Sequence, residues 1–230
     1  SSGALPVCVQ GSGNVFAYNA AADPFQDGSN ALSQDFAGHG AHPFMNLWEG
    51  NVGANIGLDN VWGSSSHNTY FRNALTDLSE PPGHPVTSGL VAVGVQYANR
   101  MVTLVGNVLG TPTMRTPRSQ LECGQHKYDF PCAYRIGYRC DSAENDPRVG
   151  ATLFRHCNFD YVTNTTRPTP GAASCALPAS LFRSSRPAFF CTETPWPAIG
   201  ADLSPMVGQL PALQRLQDMR AGRPHRACGG

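Results

Sequence analysis

Asparagine recurs along this 230-residue chain at the ends of short β-like runs, and its spacing constrains the fold more than any other feature. The stretch 44–75, FMNLWEGNVGANIGLDNVWGSSSHNTYFRNAL, holds three such runs at 45–49, 55–61 and 68–72. Asn51 and Asn73 close the first and last of them in the contexts EGN and FRN, 22 residues apart. Asn19 and Asn107 extend the series, with gaps of 32 and 34. Internal similarity at a period of roughly 20–50 residues marks chains that stack a repeated unit. The longer gaps then read as the same unit carrying insertions. Asn tolerates the left-handed backbone of a sharp turn, and stacked Asn side chains can bond to one another. Asn19, Asn51, Asn73 and Asn107 are therefore assigned as structural turn residues.

The expected fold is all-β: a right-handed parallel β-helix, a solenoid with long loop insertions and a disulfide-braced irregular C-terminal region. Residues 1–165 would form its coils, with insertions at 21–43, 77–88 and 112–131. Further strand-like runs lie at 14–20, 90–97, 101–105, 133–138 and 151–154, and 141–148 reads as a polar loop. Residues 166–230 would be an extended segment packed on the coils. It carries a short helix near 209–221, where Leu210, Leu213, Leu216 and Met219 repeat every three residues before Gly222. The chain starts almost directly in a strand-like run, so it is expected to be a fragment or subunit whose open end stacks on other chains or copies of itself.

Composition supports a turn-rich fold with a core: 41% of residues are hydrophobic, 14% are charged, and there are 24 Gly and 19 Pro. The 16 basic residues balance the 16 acidic ones, so no electrostatic argument favours nucleic acid or an anionic membrane as partner. No run of 18 apolar residues is present, and membrane insertion is not expected. Residues 1–13 show no signal-peptide pattern, which reads as prior processing or as part of a longer chain.

The eight cysteines, Cys8, Cys123, Cys132, Cys140, Cys157, Cys175, Cys191 and Cys228, form no CxxC motif. Their even number suggests disulfides, and hence a secreted or cell-surface location. Local pairs such as Cys123 with Cys132 and Cys175 with Cys191 are the expected bridges.

Three segments, WEGN, IGLDNVWGSSSHNTYFRN and NRMVTLVGNVLGT, together resemble bacterial secreted right-handed parallel β-helix proteins of the pectate-lyase-like superfamily. DPRVGATLFRHCNFDYVTN and LPASLFRSSRPAFF resemble the C-terminal parts of secreted members. The resemblance spans 14–110 and, more loosely, 130–200. It implies a fold that hosts lyases, hydrolases, adhesins and structural proteins alike. In the lyases an acidic cluster holds Ca²⁺ and an Arg or Lys takes a proton beside a uronate carboxyl. Carried onto this chain, the catalytic candidates are Arg72, Glu49 and Asp59, and the Ca²⁺ candidates are Glu49, Asp59 and Asp77. A Glu–Arg pair and turn-stabilising Asp residues are the structural alternative for the same groups.

Trp48, Trp62 and Tyr70 could line a polysaccharide-binding face or belong to the core. His39 and His42 flank a Gly-Ala pair near His67 and could chelate a metal. His156 adjoins Cys157, a conceivable Cys–His pair, although a disulfide suits that cysteine better. Asn164-Thr165-Thr166 fits a glycosylation sequon. The function expected is an extracellular structural or binding role within a larger surface or filament assembly. The alternatives are a polysaccharide lyase or hydrolase acting on an acidic glycan, and a non-catalytic carbohydrate-binding module.

Overall fold

The computed structural model describes residues 7–9, 11–22, 32–76, 89–124, 131–139 and 141–224. Among these residues, sixteen short strands build three sheets. The first contains β1 (Val7–Val9), β3 (Phe36–Gly38), β6 (Ile56–Leu58), β9 (Val91–Val95), β13 (Cys132–Ile136) and β12 (Gln120–Cys123), in that spatial order. The second runs from β2 (Val15–Ala17) through β4 (Leu47–Glu49), β7 (Thr69–Phe71) and β10 (Thr103–Val105) to β14 (Phe154–His156). The third runs from β5 (Val52–Gly53) through β8 (Ala74–Leu75), β11 (Val108–Leu109) and β15 (Asn158–Asp160) to β16 (Thr165–Arg167). Helix α1 (Pro147–Ala151) precedes β14, and helix α2 (Pro211–Arg220) lies near the C-terminus.

These sheets correct the expectation of an all-β, right-handed parallel β-helix with long loop insertions. The architecture is α/β-like, with three parallel or mixed sheets and helices. Most pairs are parallel, but β16 turns back antiparallel on β15, and β12 lies outside β13 against the chain order. Local chemistry accounts for part of the departure. Asp146 accepts a hydrogen bond from the Arg148 N–H and Pro147 occupies the first helical position, so a helix starts inside the expected polar loop and takes up Ala151 from the expected strand. Residues 120–123, assigned to an irregular insertion, form β12 instead.

The corners between the second and third sheets repeat one device. Tyr18, Gly50, Arg72, Gly106 and Cys157 all have φ between 52° and 67°. Each immediately precedes an asparagine: Asn19, Asn51, Asn73, Asn107 and Asn158. The left-handed residue is thus the one before the asparagine, and the asparagine acts through its amide. In every neighbouring pair the backbone N–H and Nδ2 of one Asn donate to Oδ1 of the next, at 2.8–3.0 Å. The Nδ2 groups of Asn51, Asn73, Asn107 and Asn158 also donate to the carbonyls of Phe16, Trp48, Tyr70 and Leu104. A second ladder, Asn14–Asn46–Asn68, stands where the chain enters the second sheet. A buried amide costs stability unless it is bonded, and these ladders satisfy theirs by stacking.

The main core lies between the sheets, around Phe36, Ile56, Leu58, Leu75, Val93 and Leu104. An aromatic column of Phe16, Trp48 and Tyr70 runs through it, with ring centroids 4.5 and 5.9 Å apart. A second cluster joins Val52, Ala74, Val108 and Phe159 of the third sheet to Phe190, Ala198, Ile199 and Leu210 of the C-terminal segment. The outer face of that sheet is therefore covered by the tail.

Two disulfides are resolved between named partners. Cys123 pairs with Cys132 across β12 and β13, and Cys157 pairs with Cys175. The second corrects the expected Cys175–Cys191 bridge; Cys191 is disulfide-bonded as well. Cys175 follows the reversal made by β16, which brings it back beside the corner at Cys157. Cys140, Cys228 and the Cys8 side chain lie outside the described residues. No helix among the described residues is long and apolar enough to cross a membrane.

Candidate functional site

The charged residues picked out from the sequence separate in space. Glu49 ends β4 in the second sheet, whereas Asp59 follows β6 in the first. Asp59 Oδ2 lies 2.5 Å from His39 Nδ1, and its Oδ1 accepts from the Val61 N–H. Asp77 falls outside the described residues. Among the described residues no group of three or more His, Cys, Asp or Glu is arranged to hold a metal ion.

Glu49 and Arg72 anchor the C-terminal segment. Arg72 is 2% exposed. Its guanidinium donates to both oxygens of Asp202 at 2.7 and 2.8 Å, and to the carbonyls of Leu177, Pro178 and Ile199. Glu49, 1% exposed, accepts from the Tyr18 hydroxyl at 3.1 Å and from the Leu181 N–H at 2.8 Å. Tyr18 in turn accepts from Trp196 Nε1. Burial pushes the Tyr18 phenol above its ordinary pKa, with the Glu49 charge adding to the effect. The space left among Tyr18, Glu49, Arg72 and Leu210 is about 10 Å³. That is about one water's worth, too little for a sugar.

Trp48 and Tyr70 are 2% and 1% exposed within the aromatic column, so neither offers a face to a ligand. Trp62 is 68% exposed. His156 Nε2 lies 3.2 Å from Cys157 Sγ, but that sulfur is bridged to Cys175. Asn164 of the sequon is exposed in the turn before β16.

A different site emerges where the three sheets end. A cavity of about 270 Å³ lies among β12, β13, β14, β15 and β16. Glu122, Tyr134, Arg155, Asp160 and Arg167 line it, together with Pro168 and Pro170. Arg155 Nη1 donates to Glu122 Oε2 at 2.9 Å, and the guanidinium carbon stands 5.0 Å from the centre of the Tyr134 ring. Arg167 Nη1 donates to Asp160 Oδ2 at 2.5 Å and to Thr163 Oγ1. The Thr163 N–H and hydroxyl also donate to Asp160. Burial raises the Tyr134 phenol well above its usual range.

Sequence reasoning missed this group. Arg155 and Asp160 sit in the strand-like RHCNFDYVTN segment, and nothing in their spacing foretells that Glu122, some thirty residues earlier, returns beside them. Comparison of the chain with family models, with curated proteins and with solved structures finds no match.

Proposed function

We propose that the protein is an extracytoplasmic binding protein that holds a carboxylate-bearing sugar of an acidic glycan in the end cavity, without turning it over. The observation that carries this reading is the pair Arg155 and Arg167 on one cavity of about 270 Å³. A guanidinium has five N–H donors. The bonds described above engage Nη1 of each arginine, so donors remain for the planar, bidentate grip that a carboxylate accepts. The volume lies just under the ~300–1,000 Å³ typical of pockets for drug-sized ligands, a size suited to one or two sugar rings. Pro168, Pro170 and the Tyr134 ring supply apolar surface for a ring face.

Binding is favoured over hydrolysis by the state of Asp160. It is 2% exposed and already accepts from Thr163 and Arg167, so both its oxygens are bonded within the protein rather than presented to a glycosidic oxygen. The two disulfides suit an oxidising compartment. The test is calorimetric titration with oligogalacturonate, with neutral oligosaccharides of the same length as control and product absorbance followed in parallel. Binding that disappears in Arg155→Ala and Arg167→Ala, with no product formed, is the expected result. Equal binding of neutral chains, or product formation, would refute it.

A second reading, a subunit joined end to end with another chain, rests on β2. This strand pairs only with β4 among the described residues, and Asn14 and Asn19 head their ladders with exposed side chains. An added strand could continue both ladders. Light scattering across a concentration series tests it: a concentration-independent monomer of 24.5 kDa rules it out.

A further inference from the structure

The corner that leads into the second sheet carries three side chains in line that serve no core. Bridges Phe44–Ser66 and Ser66–Arg100 set these strands in parallel register. The next residues, Met45, His67 and Met101, therefore occupy one position on three neighbouring strands, spaced by about 4.8 Å per strand. Their φ values are 55°, 53° and 56°, a region that bulky residues seldom enter. Met45 is 64% and Met101 49% exposed, and His67 between them is exposed too. A left-handed corner is usually given to Gly or Asn, and exposed methionines gain nothing from burial. Two thioethers flanking an imidazole are thus held outward at a cost to the backbone.

The imidazole is also oriented. His67 Nδ1 lies 3.0 Å from Ser66 Oγ, and Ser66 Oγ lies 3.1 Å from His42 Nε2. With Nδ1 engaged by the hydroxyl, Nε2 of His67 is the nitrogen left for a ligand, the arrangement found where a hydrogen bond fixes a metal-binding histidine. The methionine side chains each have three rotatable bonds, enough for both sulfurs to swing over the histidine between them.

Thioether and imidazole are soft and borderline donors, and this row contains no carboxylate. That set selects a soft monovalent ion over Ca²⁺, Mg²⁺ or Zn²⁺. We propose that Met45, His67 and Met101 form a surface site for Cu(I), with both Sδ atoms and His67 Nε2 as ligands. Ser66 is a positioning residue, and His42 orients Ser66. The ion binds and leaves as Cu(I), so no electron transfer is involved. The site is separate from the glycan cavity and does not depend on it.

The test uses the full chain, titrated with Ag⁺ as a soft monovalent probe and then with Cu(I) under anaerobic conditions. Binding is read from the ¹³C-labelled methyl groups of its five methionines. The Met45 and Met101 methyl signals are expected to move with either ion, while Zn²⁺ leaves them in place. In calorimetric titration with Ag⁺, the double variant Met45→Leu/Met101→Leu should lose binding, and His67→Ala should weaken it. Ser66→Ala, which removes only the orienting hydroxyl, should cost about tenfold in affinity while both methyl signals still move. All four substitutions fall on the corner, and unchanged thermal unfolding of the double variant confirms that its loss is not misfolding. The proposal is overturned if neither ion moves these two signals, if those of Met114, Met206 or Met219 move instead, or if the double variant binds as tightly as the parent.

Discussion

Arg72 grips Asp202 across 130 residues of sequence through two parallel hydrogen bonds of 2.7 and 2.8 Å. The contact closes the C-terminal segment over the corner between the second and third sheets. Arg72 is buried and Asp202 is partly covered, so the pair cannot be separated without leaving a charge in an apolar setting. Arg72→Met should destabilise the fold by about 3–5 kcal/mol, the usual cost of breaking a buried pair from one side. Arg72→Lys should fall short of rescue, because a lysine cannot reach Asp202 and three carbonyls together. Denaturant unfolding with limited proteolysis at 177–202 checks both: unchanged resistance of that segment would contradict the anchoring role.

The asparagine ladders predict a position-dependent cost. Asn73→Ala removes the acceptor for the Asn51 N–H and Nδ2, the Nδ2 donor to Asn107 and the bond to the Trp48 carbonyl, while the backbone N–H to Asn107 stays. Each buried group left unpaired costs about 1–3 kcal/mol, so a total near or above 3 kcal/mol is expected. Asn19→Ala, at the exposed end of the same ladder, should cost about 1 kcal/mol or less. Equal losses at both positions in urea unfolding would argue that the ladder is not cooperative.

Reduction should loosen the end that carries the cavity of Arg155 and Arg167. The Cys157–Cys175 bridge closes a separation of 18 residues and ties the corner before β15 to the start of the tail. A loop of that size is worth about 3 kcal/mol in the chain-entropy picture. The double variant Cys157→Ala/Cys175→Ala should lower the midpoint of thermal unfolding, and hydrogen exchange should rise first in β15 and β16. An unchanged midpoint would count against the bridge as a brace.

Asp146 predicts a pH dependence. Burial opposes its ionisation, but Arg100, Arg148 and the Arg148 N–H hold its carboxyl below the ordinary aspartate value. A depressed carboxyl contributes stability that is present above its unfolded pKa and is lost as pH falls through the folded one. Unfolding free energy should therefore drop from about pH 4 downward, and Asp146→Asn should drop less steeply over the same range. Parallel curves for the two proteins would exclude Asp146 as a contributor.

Several features were readable in the residues alone. The short strand-like runs and the recurrent Asn mark turns between strands, because their chemistry is local. The leucine spacing at 210–216 and Gly222 indicate a helix, and α2 occupies Pro211–Arg220. Nine residues of separation sufficed to suggest the Cys123–Cys132 bridge. The ladder at Asn14, Asn46 and Asn68 carries the same intervals of 32 and 22 as the series at Asn19, Asn51 and Asn73, and was open to the same inspection.

Other features depend on where the chain returns in space. The third sheet is mixed because β16 reverses, and β12 adds in parallel outside β13; neither pairing follows from a local pattern. Glu49 and Arg72 became catalytic candidates through the resemblance to the lyases. Only the folded tail, arriving from residues 177–202, shows where their bonds go. Trp48 and Tyr70 could face either way by alternation, and packing against Phe16 and Phe36 turns them inward. The cavity of Glu122, Arg155 and Arg167 lies on three edge strands whose meeting is a property of tertiary structure. Sequence determined the turns and the strand runs, since those follow from each residue's own backbone and hydrogen-bonding preferences. Which strands became neighbours, and so which charges were bonded and which remained open to a ligand, was decided by long-range burial.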